Sequence, residues 1–65
     1  MEADDKLKQG IVALKAGRRK EARALLLQVL ERDEENEQAW LWMSGAVETD
    51  KLRRTCLEKV VEINP

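Results

Sequence analysis

Apolar residues recur along this chain at intervals of three and four, in four runs divided by short polar breaks. Leu7, Ile11 and Leu14 mark the first run, with Gly10, Val12 and Ala13 between them, and predict an amphipathic helix over roughly 4–16. Asp4 or Asp5 can cap it, and acids suit the positive end of a helix. Gly10 costs about 1 kcal/mol in a helix interior relative to alanine, so it predicts a close approach by a neighbour. Gly17 is a natural helix stop, with Lys15 in the last turn, and Gly17-Arg18-Arg19 reads as a turn. A second helix follows over roughly 19–33. Its apolar residues (Ala22, Leu25, Leu26, Val29 and Leu30, with Ala24 and Leu27 besides) exceed one stripe, so it needs cover from two sides.

Asp33-Glu34-Glu35-Asn36 is a polar break, and Asn36 can cap what comes next. The third helix is predicted over roughly 37–47. A fourth starts at Thr49 or Asp50 and runs to roughly 63, with Leu52, Cys56, Leu57, Val60, Val61 and Ile63 apolar. Asn64-Pro65 ends it, because proline disfavours helix in the residue before it. No stretch carries a strand pattern, so the fold class is all-α. The third helix holds Trp40 and Trp42, the only aromatic residues. Two positions apart on a helix is roughly 200°, so they cannot share a face. Met43, Ser44 and Val47 follow Trp40 at helical spacing, which assigns Trp40 to the core and Trp42 to a second surface.

Length bounds the chain to one small domain over 1–65, and a chain this short is marginally stable. Twelve basic residues stand against 13 acidic ones, so no overall field favours nucleic acid or an anionic membrane. The charge is unevenly spread: residues 1–32 carry eight bases and five acids, net +3, and residues 33–65 carry four bases and eight acids, net −4. Such unevenness is common on solvated helix faces. One cysteine excludes an internal disulfide and a cysteine-based zinc cluster. With no histidine, the common general base and most transition-metal sites are missing. The start of the chain is too charged for a signal peptide, and no apolar run is as long as a membrane span. The expectation is a cytoplasmic protein without cofactor or metal.

The chain also matches itself. Shifted by 31, Arg23, Leu26, Val29 and Leu30 fall on Arg54, Leu57, Val60 and Val61. Shifted by 34, Leu7, Gly10 and Ala13 fall on Leu41, Ser44 and Val47. Helical hairpins repeated near this period are the mark of an α-solenoid, with units over about 4–34 and about 37–65. The second unit reads Trp40-x2-Met43-Ser44-x2-Val47, then Leu57 and Val60, then Asn64-Pro65. The first reads Gly10-x2-Ala13, then Gly17, then Ala22-x3-Leu26-x2-Val29. Both resemble the tetratricopeptide repeat, whose pattern is W-x2-L-G-x2-Y, A-x3-F and P. Lys6, Gln9 and Glu34 stand at the first unit's tryptophan, leucine and proline positions, and Arg53 replaces the second unit's packing alanine.

The resemblance implies two hairpins stacked as a short right-handed solenoid whose first helices line a concave groove. It places Leu7, Lys8, Ile11, Leu14 and Lys15 of the first helix in that groove, with Leu41, Trp42 and Gly45 of the third. Such a strip, apolar with lysines at its margin, suits an apolar or acidic segment of a partner protein. The asparagine and lysine set with which some members hold a C-terminal carboxylate is absent. Trp42 has two readings: contact with a peptide, or packing on a neighbouring helix or second subunit. Lys15, Arg18, Arg19, Lys20 and Arg23 form a basic run, but no aromatic stands beside it for base stacking, and it reads as a solvated turn. Cys56 falls on an apolar face and reads as a structural thiol. The expected function is a non-catalytic protein- or peptide-binding module. The alternative is a self-assembling element, a homodimer covering the wide apolar faces of the second and fourth helices, or a module of a larger protein.

Overall fold

Four helices form wherever the three-and-four spacing predicts them, and short capped breaks set their ends. The structure, a computed structural model, describes the backbone of residues 2–65 and the side chains of residues 5–65. Helix α1 spans Glu2–Lys15, α2 Arg19–Arg32, α3 Glu37–Ala46 and α4 Asp50–Ile63. Helix α1 begins before Asp4 and Asp5, so both lie inside it rather than at its cap. The side chain of Asp4 lies outside the described residues. Gly17 ends the first hairpin's turn at φ 84°, in the left-handed region that glycine enters without strain. The amide of Arg18 then donates to the carbonyl of Ala13 at 2.8 Å and that of Gly17 to Leu14 at 3.0 Å. That pair of bonds closes the helix by satisfying two of its last carbonyls.

Asn36 caps α3, its Oδ1 accepting from the amide of Ala39 at 3.0 Å. Thr49 does the same for α4, its Oγ1 accepting from the amide of Leu52 at 3.2 Å. Helix α2 starts at Arg18 without a side-chain cap.

The packing is serial. Helix α1 lies against α2, α3 against α4, and α3 returns against both α2 and α1. Among the described residues α4 approaches neither α1 nor α2. The result is a pair of helical hairpins in a slab of 26 × 26 × 15 Å. Gly10 permits the α1–α2 contact: a Cβ built there would stand 3.0 Å from Cγ and Cδ2 of Leu26. Ala22, Leu26 and Val29 are fully enclosed and Leu30 nearly so, because α1 covers one side of α2 and α3 the other. The expectation that α2 lacks cover is corrected for this face, while Leu27 on its outer side stays 49% exposed. Helix α4 keeps the widest bare apolar side among the described residues, with Leu52, Leu57 and Val61 exposed.

Trp40 is also corrected. The buried face of α3 keeps Met43, Ser44 and Val47 as predicted and adds Ala39 and Ala46, which take the deep positions in place of Trp40. Alanines hold the centre because α3 must come close to α2, and an indole there would wedge the two apart. Trp40 and Trp42 flank that face on opposite sides, each half-buried and packed against the core.

Candidate functional site

The α1–α3 face is built from the side of each helix that looks toward the other. Ile11 and Leu14 of α1 are half-buried against the core. Leu14 sits close to α3: a Cβ on Gly45 would meet its Cδ2 at 3.4 Å. At the end of α1, the Nζ of Lys15 stands 5.8 Å from the ring centroid of Trp42. That separation lies within cation–π range, which contributes about 0.5–1 kcal/mol at an exposed position. Leu41, just round α3, is 49% exposed.

Four of the eight residues expected in the groove are thus brought together across α1 and α3, Leu14 with Gly45 and Lys15 with Trp42, while Ile11 is half-buried on α1 and Leu41 exposed on α3. Leu7 is buried in the core cluster with the apolar stripe of α1 rather than open to this face. Lys8 is exposed and lines a shallow depression between α1 and α2, with Val12, Ala16 and Leu25.

The basic run around the first turn is dispersed. Arg18 pairs with Glu21 at 3.5 Å, Arg23 approaches Glu48 at 4.0 Å, and Lys15 lies over Trp42. Cys56 is buried at the α3–α4 contact, and desolvation raises its thiol pKa above the ordinary value. It is a poor nucleophile in that state. Among the described residues no group of three or more potential ligands could hold a metal ion. None of the described helices is long and apolar enough to cross a membrane.

Sequence reasoning missed a second concavity, on the far side of α3. The backbones of α2 and α4 stay apart and leave a cleft of about 760 Å³ between them, with Leu27, Leu30, Trp40 and Ile63 along it. The indole of Trp40 is held there: its Nε1 donates to the carbonyl of Glu34 at 2.7 Å. The Asp33–Asn36 turn that supplies this carbonyl is itself fixed, with Oδ1 of Asp33 accepting from the amide of Glu35 at 3.1 Å. Asn64 donates from Nδ2 to Oε1 of Glu37 at 3.4 Å, tying the end of α4 to the start of α3. The signal in the sequence was a tryptophan four residues after a glutamate-rich break. It was outweighed by the assignment of that tryptophan to the core.

No family model, curated protein or solved structure matches the chain.

Proposed function

We propose that this chain is a protein-interaction module: a two-hairpin, right-handed α-solenoid of tetratricopeptide type that holds a peptide or extended segment of a partner on its α1–α3 face. The serial packing supports the solenoid, since α3 lies on the first hairpin in the way that stacked repeats require. One observation carries the binding reading. Trp42 stands half-open where α1 meets α3, with Lys15 over its ring and Leu41 exposed beside it. A large aromatic partly freed from solvent and set next to an exposed leucine is the kind of anchor on which interfaces concentrate their energy. The lysine at its edge favours an apolar segment with acidic flanks. Catalysis, nucleic acid, membrane and cofactor form no part of this function.

The test is a titration with a synthetic peptide of leucines and glutamates. Saturable binding that Trp42→Ala weakens at least tenfold supports the reading. Binding of equal strength to wild type and Trp42→Ala overturns it.

The bare side of α4 favours a second reading, self-association, through Leu57 and Val61. Sedimentation analysis decides it. A dimer that Leu57→Glu returns to monomer supports self-assembly, and a monomer at high concentration rules it out.

A further inference from the structure

The cleft between α2 and α4 differs in charge from the α1–α3 face. Its apolar lining joins an exposed leucine, Leu27, to one face of a pinned indole, Trp40. Around that lining stand Glu31, Glu34, Glu35 and Glu62. The single base at the rim, Lys59, is already drawn to Glu62 at 3.6 Å. Four carboxylates against one paired ammonium leave a net charge of −3 around a trough that is apolar along Leu27, Leu30, Trp40 and Ile63. No ion pair among the described residues answers Glu31, Glu34 or Glu35.

From this complementarity we infer that the α2–α4 cleft binds a basic amphipathic segment of a partner protein, one that lays large apolar side chains on Leu27 and Trp40 and sets lysines or arginines against the glutamate rim. The trough is open at its side and formed by two helices, so a helix laid between them suits it, by the groove-binding mode in which apolar anchors recur at three and four residues. The rim steers such a segment inward and rejects an acidic one. The two faces then select opposite partners: lysine-edged Trp42 takes acidic segments and glutamate-rimmed Trp40 takes basic ones.

The experiment uses the full chain carrying Trp42→Phe, so that emission reports Trp40 alone. It is titrated with two peptides of equal length and leucine spacing, one with lysine at every polar position and one with glutamate. The lysine peptide is expected to shift or quench the emission saturably, with an affinity that falls tenfold or more as salt rises from low to physiological strength. Glu34→Lys with Glu35→Lys, both on an exposed turn, is expected to weaken that binding at least tenfold while circular dichroism stays unchanged. Leu27→Asp, also at an exposed position, is expected to weaken it similarly. The inference is overturned by an unmoved Trp40 signal, by equal response to the glutamate peptide, or by binding indifferent to the rim reversals. Sedimentation run in parallel identifies the remaining occupant: a dimer broken by Leu27→Glu, with no peptide response, makes the cleft a contact between copies of this chain.

Discussion

Helices α2 and α4 carry nearly the same apolar spacing and lead different lives. Leu26 and Leu30 of α2 correspond to Leu57 and Val61 of α4, 31 positions on. The first pair is 0% and 6% exposed, the second 41% and 62%. The pattern along each helix does not account for this. Helix α2 has a neighbour on either side, α1 and α3, whereas α4 has only α3. An apolar stripe thus states how much cover a helix can use, and the neighbours decide how much it receives. The substitution of Arg53 for the alanine at Ala22 fits the same difference. Ala22 is enclosed, while Arg53 lies at an edge and reaches across to the carbonyl of Ser44 from its Nε at 3.3 Å.

The sharpest way to break this comparison is to truncate the paired leucines. Leu26→Ala empties a fully enclosed site and is expected to cost about 2–5 kcal/mol, enough to unfold much of so small a domain. Leu57→Ala is expected to cost about 1 kcal/mol or less, because its side chain is already part-solvated. Urea unfolding of both variants checks the pair, and equal losses would mean that α4 is covered in solution.

Glycines give the next largest contrast, and it is one of sign. Gly10→Ala drives a methyl to 3.0 Å from the enclosed Leu26 and is expected to destabilise by about 1–2 kcal/mol despite its better helix propensity. Gly45→Ala meets Leu14 at an ordinary 3.4 Å and is expected to stabilise by up to about 1 kcal/mol. Thermal melts read both, and a stabilising Gly10→Ala would show that the α1–α2 contact is looser than its spacing implies.

Caps sharpen the comparison further. Asn36→Ala and Thr49→Ala are each expected to cost about 1 kcal/mol, since each leaves a first-turn amide without its partner. Arg18→Ala makes no such change at the start of α2, where no side-chain cap exists, and is expected to stay within about 0.5 kcal/mol.

Smallest is the effect of alkali on the α3–α4 contact. Burial raises the Cys56 thiol above its ordinary 9.0, so the fold favours the protonated form. That contribution is complete below the pKa of the unfolded thiol and is lost as pH rises through the folded one. Stability is therefore expected to fall at alkaline pH in the wild type, and to fall less in Cys56→Ala. Denaturation midpoints measured on either side of pH 9.0 check this. An unchanged slope in the variant would mean that the thiol is as solvated as in the unfolded chain.

Local signals were readable with little loss. Asn36 and Thr49 have the short polar side chains that cap helices, Gly17 the freedom to take positive φ, and Gly10 the missing Cβ that marks a close approach. On the α1–α3 face, helical spacing by itself set only Trp42 apart from Trp40; Lys15 and Gly45 were placed there by the repeat resemblance, and the structure sets Lys15 over Trp42 and Gly45 beside Leu14. Trp40 was placed too deep because it stands at the border of an apolar stripe, and only the distance between packed helices tells which border residues are drawn inside. The α2–α4 cleft was invisible, since it arises from two helices whose backbones stay apart.

Periodicity, caps and turn residues thus determined by themselves that this chain makes four helices and roughly where each starts and stops, because those are contests settled within a few residues. The depth to which each apolar side chain sinks, and where hollows remain between helices, was decided by the tertiary arrangement. Burial depends on how closely two helix axes approach, and that distance is set jointly by side chains far apart in the chain, such as Gly10 with Leu26 and Gly45 with Leu14.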